Sequence, residues 1–132
     1  MVQQEDGVLL TKFGVRNLAD FLQRYTSIGY VAIRDGIAIG FACGYSMVDP
    51  FDGRKLFYLY TLDILPLRQN NGQGKAFMEY IVKSVLSGGF DELFLSTHKS
   101  NERMSHICKS LGGISKADDD TVFEFHSALQ EG

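Results

Sequence analysis

The sequence predicts an α/β protein in which a mixed, mostly antiparallel sheet contains a central βαβ unit and carries helices on both faces. Residues Lys55–Ile64 are rich in aromatic and aliphatic side chains, which is typical of a strand. After Gly74 the apolar residues recur at the spacing of an amphipathic helix, and residues 92–97 form a second, shorter strand pattern. Because a strand, a helix and a strand follow one another, the two strands are predicted to be parallel and joined by a right-handed crossover.

The elements on either side of this unit are predicted from shorter patterns. Residues 8–11 are expected to form a first strand, and apolar side chains over 18–25 predict a helix. Strands are predicted at 30–34 and 37–47, because Asp35-Gly36 between them is a strong signal for a two-residue hairpin. After the unit, apolar positions from Met104 to Leu111 predict a last helix, and residues 121–125 predict a last strand.

Composition limits the classes of function. With 132 residues and 45% apolar content, residues 1–132 are expected to form a single domain with a real core. The net charge of −3 argues against a nucleic-acid partner and allows a cationic substrate. The longest apolar run, Ile37–Val48, contains glycines and is too short to span a bilayer, so no membrane association is expected. Two cysteines, and an N-terminus without a basic segment followed by an apolar one, lead us to expect a cytoplasmic protein.

A glycine loop, Gln69-Asn70-Asn71-Gly72-Gln73-Gly74, lies between the strand Lys55–Ile64 and the helix after it. A helix N-terminus presents unpaired N–H donors and the positive end of the helix dipole, and both favour a bound anion. The glycines allow the backbone to turn its N–H groups towards that anion and allow the anion to approach closely. We therefore predict a pyrophosphate site formed by Gln69, Asn70, Asn71, Gly72, Gln73, Gly74 and Lys75.

Other interpretations of the glycine loop agree less well with the sequence. Asn71-Gly72 on its own is a hairpin signal, but the helical pattern that begins at Lys75 leaves no place for a second strand. A Walker-type loop would need a serine or threonine at Ala76 and a glycine at Gln69. A dinucleotide-binding fingerprint would need a glycine at Phe77.

With these residues the chain resembles the GNAT-type N-acetyltransferases, over most of its length. Their acetyl-CoA loop has the form Arg/Gln-x-x-Gly-x-Gly/Ala, often with a proline three residues earlier. Members also often carry Asn-x-x-Ala-x-x-x-Tyr-x-x-x-Gly-Phe along a later helix, and this second pattern is matched in part. The residues that match are Pro66, Gln69, Gly72, Gly74, Asn101 and Gly112, whereas Met104, Cys108 and Gly113 replace the usual alanine, tyrosine and phenylalanine.

The resemblance implies acetyl-CoA as a cosubstrate and a GNAT-like sheet with splayed parallel strands. It implies that the pantetheine runs between those strands and uses backbone groups from Leu62 to Ile64, with Asn101 near the pantetheine or the pyrophosphate. It further implies direct transfer of acetyl to a primary amine. The acidic balance of the chain favours a small-molecule amine, aminoglycoside-like or a polyamine, over a protein terminus. Homodimers are common among such relatives, although no residue of this sequence argues for one.

Direct transfer requires a base, because a free alkyl amine has a pKa of about 10 and reacts only when it is neutral. Asp63 is the single acid within the strand Lys55–Ile64 and the first candidate for the base or an amine anchor. A solvent-facing or structurally paired carboxylate is the alternative. The strand also resembles that of aminoglycoside 3-N-acetyltransferases, but Thr61 stands where those enzymes have the aspartate regarded as the base. On an unbroken strand Asp63 would share the face of Thr61.

Three other residues are candidates for moving a proton. Tyr60 is a candidate for a relay in the acceptor cleft, with core packing as its alternative. His98 follows the second parallel strand, at the edge where open α/β sheets bind ligands, and an exposed loop histidine is its alternative. Cys108 stands where the family's tyrosine protonates the CoA thiolate, and a buried, inert thiol is its alternative.

The sequence thus predicts an acetyl-CoA-dependent N-acetyltransferase, with no metal site expected. A non-catalytic acyl-CoA-binding regulatory module is the main alternative, because the family's tyrosine is missing at Cys108. An interaction subunit that pairs a Leu/Phe-rich edge with a partner chain is the third.

Overall fold

The structure is a computed structural model that describes residues 3–65, 72–115 and 123–127. Two helices precede the sheet, and two more lie within and after its parallel part. The helices are α1 (Gln3–Phe13), α2 (Leu18–Leu22), α3 (Gln73–Ser87) and α4 (Glu102–Ser110). The strands are β1 (Ser27–Arg34), β2 (Ile37–Val48), β3 (Lys55–Ile64) and β4 (Glu92–Phe94).

The four strands form one mixed sheet in the order β1-β2-β3-β4. β1 and β2 are antiparallel, β2 and β3 are antiparallel, and β3 and β4 are parallel. The predicted hairpin is confirmed, since Asp35 and Gly36 take left-handed φ values of 53° and 77° between β1 and β2. The predicted βαβ unit is confirmed as β3-α3-β4.

Apolar side chains cover both faces of the sheet. On one face, Phe57, Leu59 and Ile64 of β3 pack with the buried side of α3 and with Ile107 of α4. On the other face, Phe41 and Cys43 of β2 pack with α1 and α2, where the buried contacts include Leu9 and Leu18. Helices therefore lie on both faces, as the sequence predicts.

The first predicted strand, at 8–11, is wrong, because these residues belong to helix α1. A short apolar run fits a strand and a buried helix turn equally well. Here Leu9 is fully buried against Phe41 and Cys43, and Phe13, one turn later, packs on the same cluster. Contact with the sheet, and not local alternation, therefore determines the conformation of this segment.

The two later strands also differ from the prediction. β4 ends at Phe94, three residues before the end of the predicted strand at 92–97, because its pairing with β3 stops at the Tyr58–Phe94 pair. Of the predicted strand at 121–125, residues 121 and 122 lie outside the described residues, and residues 123–125 are not in a strand. Phe123 and Phe125 are exposed and have no paired strand among the described residues. Within the described part of the chain, no helix has the length and apolar character needed to cross a membrane.

Candidate functional site

A β-bulge divides strand β3 into two halves. Cys43 of β2 pairs with Thr61, but the next residue, Gly44, pairs with Leu59, so Tyr60 is the extra residue of the bulge. Before the bulge Phe57 and Leu59 face the α3 side, and after it Leu62 and Ile64 face that side instead. Thr61 and Asp63 consequently face the α1–α2 side.

Gly44 permits the close approach of β2 and β3 beside the bulge. A Cβ atom at Gly44 would lie 2.7 and 2.8 Å from two ring carbons of Phe57, and it would also meet the carbonyl oxygen of Tyr58. No larger residue fits there without moving a backbone atom. The bulge, and with it the orientation of Asp63, therefore depends on this glycine.

The parallel strands β3 and β4 separate after a short paired stretch. Three residue pairs, from Leu56–Glu92 to Tyr58–Phe94, hold the strands together. β3 then continues to Ile64 while β4 has ended, and a cleft of about 110 Å³ opens between them. This β3–β4 cleft is lined by Leu59, Tyr60, Thr61, Leu62, Leu95, Ser96, Thr97, Asn101 and Met104.

The paired end of the two strands is held by backbone and charged groups. The Asp91 N–H donates to the Lys55 carbonyl oxygen at 2.8 Å, and the Lys55 N–H donates to Asp91 Oδ2 at 2.8 Å. The Arg54 guanidinium contacts Glu92 Oε1 at 2.9 Å and Asp52 Oδ2 at 2.9 Å. The strands are thus fixed at one end and open at the other.

Helix α3 begins beside the open end. Its N-cap, Gly72, has a φ of 76°, a left-handed value that favours glycine. A Cβ at Gly74 would lie 3.8 Å from Ile64, the last residue of β3, and 3.7 Å from Ile107 of α4. The first N–H groups of an α-helix have no partner within the helix, so the donors of Gln73, Gly74 and Lys75 stand at the end of β3.

The helix start has features that fit a bound pyrophosphate. No atom of the described residues lies within 4 Å of a Cβ placed at Gly72. The side-chain oxygen of Gln73 is buried without a hydrogen-bond partner among the described residues, but as an acceptor it does not itself bind an anion. The other loop residues predicted to bind the pyrophosphate, Gln69, Asn70 and Asn71, lie outside the described residues.

Asn101 both caps a helix and lines the β3–β4 cleft. It is the N-cap of α4, where its Oδ1 accepts a hydrogen bond from the Met104 N–H at 3.1 Å. It also lines the β3–β4 cleft together with Met104. The cap fixes the position of the Asn101 amide, so this one residue caps the start of α4 and presents a polar group to the cleft.

Asp63 is exposed and is held beside the cleft by Thr61. Thr61 Oγ1 donates to Asp63 Oδ2 at 3.0 Å, and Thr61 itself lines the cleft. The Asp63 carboxylate also affects Cys43 on the neighbouring strand β2. The pKa of the Cys43 thiol is raised mainly by burial and further by the negative charge of Asp63. Asp63 therefore keeps an oxygen available to solvent while its backbone position is set by the bulge.

Tyr60 lines the cleft and is 61% exposed. Its ring lies 6.0 Å from the ring of Tyr45 and 6.1 Å from that of Tyr58, measured between centroids, and both contacts are edge-on. Core packing is therefore not its role. Tyr60 therefore lies where the cleft meets the α1–α2 face of the sheet.

His98 and Cys108 are not among the residues that line the cleft. His98 is exposed in the turn after the cleft residue Thr97, and its carbonyl oxygen accepts from the Asn101 N–H at 2.9 Å. Cys108 packs against the core cluster, and burial raises the pKa of its thiol. Of the predicted site residues, Tyr60, Leu62 and Asn101 thus line the cleft. Asp63 does not line it but is hydrogen-bonded to the lining residue Thr61. His98 follows the lining residue Thr97, and Cys108 lies one helical turn after Met104.

A second cavity was not predicted from the sequence. It has a volume of about 520 Å³ and adjoins α2 and the start of β1, so we call it the α2 cavity. The sequence places Phe21 on a predicted helix and Tyr45 on a predicted strand, but only the folded structure brings their rings together. The lining residues are Asn17, Asp20, Phe21, Arg24, Thr26, Ser27 and Tyr45.

The family model of the Acetyltransferase (GNAT) family matches residues 4–112. The matched residues make up most of the chain and include the strands β3 and β4 and the glycine at the start of α3. The chain belongs to the GNAT acetyltransferase family, whose cosubstrate is acetyl-CoA. A search among curated proteins finds no match.

Solved structures of acetyltransferases are similar in fold. An aminoglycoside N-acetyltransferase in complex with CoA superposes with a TM-score of 0.74 at 20% identity, covering 96% of this chain and 97% of the other. An aminoglycoside acetyltransferase from an uncultured soil metagenomic sample, in complex with sisomicin, has a TM-score of 0.69 at 19% identity, covering 94% and 85%. A ribosomal-protein-alanine N-acetyltransferase from Brucella melitensis biovar Abortus has a TM-score of 0.67 at 17% identity, covering 80% and 74%. At these identities the likeness establishes the fold.

Proposed function

We propose that this protein transfers an acetyl group from acetyl-CoA directly to a primary amine of a small molecule. The observation that carries the proposal is the β3–β4 cleft, which opens beside the N-terminus of α3 and next to Asp63 and Tyr60. The cleft, the Asp63 carboxylate and the anion site at the start of α3 therefore follow one another along the end of β3.

The residues along the end of β3 fit the parts of acetyl-CoA, which supplies an acetyl thioester when it is bound. The N–H groups of Gln73, Gly74 and Lys75 would bind the pyrophosphate, and Gly72 leaves room for its approach. The backbone from Leu62 to Ile64 would hydrogen-bond the amide groups of the pantetheine, which would lie beside β3 where β4 has ended. Asn101 would supply one side-chain amide to the same slot.

Asp63 is the proposed base. A protonated amine that enters from the α1–α2 face meets this exposed carboxylate, which accepts the proton. The neutral nitrogen then forms a C–N bond to the acetyl carbon as the C–S bond breaks. The nitrogen loses a second proton as the amide forms and the departing sulfur takes up one, so the products are an amide and a thiol. A backbone N–H at the bulge, near Thr61, would stabilise the negative charge that develops on the carbonyl oxygen.

The proton that the sulfur takes up has two proposed sources. Tyr60 lines the cleft and is the candidate with the most direct access. Cys108 stays protonated at neutral pH, because burial raises its pKa, but it packs on the core. His98 is a second candidate for the base, since it follows the lining residue Thr97 and an imidazole can exchange a proton.

The proposed acceptor is a cationic small molecule, with aminoglycoside-like amines and polyamines as first candidates. Two observations support this class: the chain has a net charge of −3, and aminoglycoside acetyltransferases are among its structural neighbours. A non-catalytic acyl-CoA-binding module is the second candidate function, favoured by the packing of Cys108 on the core where the family usually has a tyrosine.

Turnover of an amine panel tests the proposal. Purified protein is incubated with acetyl-CoA and each amine, and release of free thiol is measured against pH. We expect Asp63→Asn to abolish most of the turnover and His98→Ala to leave it nearly intact. Acetyl-CoA binding without acetylation of any amine would instead establish the binding module.

A further inference from the structure

Five aromatic rings form a continuous row on the α1–α2 face of the sheet. Successive ring centroids lie 5.7 Å apart from Phe21 to Tyr45, 6.0 Å from Tyr45 to Tyr60, and 6.1 Å from Tyr60 to Tyr58. The row ends with Phe94, which stacks on Tyr58 at 5.0 Å. We call these five residues the aromatic wall.

The aromatic wall connects the two openings of the molecule. Tyr60 lines the β3–β4 cleft, whereas Phe21 and Tyr45 line the α2 cavity. Since the ring centroids of Tyr60 and Tyr45 are only 6.0 Å apart, one small molecule can touch both rings. A ligand with one end at the cleft would therefore have its other end in the α2 cavity.

The far end of this path is polar. Asn17 and Thr26 add an amide and a hydroxyl group to the lining of the α2 cavity, next to Ser27. Ser27 Oγ itself is buried and has no hydrogen-bond partner among the described residues. The amide of Asn17 and the hydroxyl of Thr26 are therefore the groups suited to a ligand's hydrogen-bonding substituent.

The charge along the path is small. Among the described residues that line the α2 cavity, Asp20 and Arg24 have opposite charges and offset one another. Asp63, hydrogen-bonded to Thr61 at the cleft end, then contributes one negative charge. One carboxylate and a row of ring faces suit a single ammonium group on a flat apolar body, because a cation is attracted to ring faces as well as to the carboxylate.

We propose that the aromatic wall is the acceptor subsite and that it takes a primary monoamine on an aromatic ring with a hydrogen-bonding substituent at the far end. This inference rests on the proposed transfer to a small-molecule amine, and it places an aromatic monoamine ahead of aminoglycoside-like amines and polyamines as the acceptor. The amine lies at Asp63 and Tyr60, the ring lies along Tyr45, and the substituent reaches Asn17 and Thr26. Linear polyamines and polycationic aminoglycosides fit less well, because they bring several charges to a path with one unpaired carboxylate.

Competition among amines tests the class. Tyramine is the aromatic monoamine, glucosamine the ring monoamine without an aromatic ring, spermidine the linear polyamine and kanamycin the polycationic aminoglycoside. Binding of each is measured by isothermal titration to the protein saturated with CoA, and acetylation of each is measured with acetyl-CoA. We expect tyramine to have the lowest Kd and the highest kcat/KM.

A matched pair of variants tests the wall itself. Tyr45→Leu removes a ring from the aromatic wall. Tyr80→Leu removes a similar edge-on ring contact, with Tyr30, on the α3 side of the sheet. We expect Tyr45→Leu to raise the Kd for tyramine about tenfold, in keeping with the loss of one ring contact. Tyr80→Leu should leave that Kd unchanged, and both variants should bind CoA as the wild type does.

The outcomes separate the two proposals. If tyramine binds and Tyr45→Leu weakens it, the acceptor subsite stands even where no amine is acetylated, and only the proposed transfer fails. If spermidine or kanamycin binds more tightly than tyramine, the wall does not select an aromatic monoamine. Equal effects of Tyr45→Leu and Tyr80→Leu, or no tyramine binding at all, would likewise overturn the inference.

Discussion

The two ends of strand β3 are built in opposite ways. At its start, β3 is paired on both sides, and Arg54, Asp91 and Glu92 tie it to the strand β4. At its end, β3 is paired with β2 alone among the described strands, and the β3–β4 cleft lies where β4 would continue. The candidate site therefore lies beside the part of β3 that β4 does not cover, because such an edge can bind an extended ligand.

The two ends also differ in what determines them. The paired end depends on contacts between residues far apart in sequence, such as Arg54 with Glu92. The open end depends on two glycines, Gly44 beside the bulge and Gly72 at the start of α3, whose substitution would disturb packing in one case and access in the other. The following substitutions test this difference.

The largest effect on stability is expected at Gly44. Gly44→Ala places a methyl group against Phe57 and the Tyr58 backbone, and we expect the free energy of unfolding to fall by about 3 kcal/mol. Chemical denaturation measures this change. Gly29→Ala is the matched control, because a Cβ at this strand glycine has its nearest neighbour at an ordinary 3.8 Å. Equal stability of the two variants would show that the bulge does not need a glycine.

The next effect is on catalysis at the open end. Asp63→Asn keeps the shape of the side chain and its contact with Thr61 but cannot accept the proton of the amine. We expect kcat to fall by about 10²-fold with the Kd for acetyl-CoA unchanged. If His98→Ala has the larger effect on kcat and removes its pH dependence, His98 is the base and Asp63 is an anchor.

A smaller effect is expected at Asn101. Asn101→Ala removes the cap of α4, which should lower the free energy of unfolding by about 1 kcal/mol. Asn101→Ser restores a cap with a shorter side chain, so stability should return while any contact with the pantetheine does not. Titration with acetyl-CoA then separates the two roles, since only a contact in the cleft makes the serine variant bind more weakly than the wild type.

The smallest effect is expected at the paired end. Arg54→Ala removes exposed ion pairs with Asp52 and Glu92, and exposed pairs contribute little and are screened by salt. The hydrogen bonds from Arg54, its backbone N–H first, lower the pKa of Asp52 below its ordinary 3.8. The contribution of Asp52 is therefore present at neutral pH and is lost as the pH falls below about 4. Thermal melts should show a small difference between wild type and Arg54→Ala at pH 7, and this difference should decrease as the pH is lowered to 3 and below.

Much of the site could be predicted because its signals are local. The strand Lys55–Ile64, the glycine at the start of α3 and the Asn101 cap each occupy a short stretch of sequence with a characteristic spacing. The resemblance to the GNAT-type N-acetyltransferases then relates all three stretches to the binding of acetyl-CoA. The structure confirms the βαβ unit and places Asn101 and Tyr60 in one cleft.

The rest depends on contacts between distant residues. The bulge at Tyr60 follows from the pairing of β2 with β3, and no pattern within 55–64 indicates which residue is extra. The helix at Gln3–Phe13 follows from the burial of Leu9 on the sheet. The aromatic wall joins α2, β2, β3 and β4, so its rings meet only once the register is known.

Binding of acetyl-CoA tests the central claim, that the open end of β3 and the start of α3 form the cosubstrate site. Isothermal titration compares the wild type with Gly72→Glu and with Gly53→Glu. Gly72 and Gly53 both have a φ of 76° and no atom of the described residues within 4 Å of a Cβ, so the two variants share the same backbone strain and the same added charge. We predict that the wild type and Gly53→Glu bind acetyl-CoA and that Gly72→Glu does not. Equal binding by both variants, or no binding by the wild type, would contradict the account.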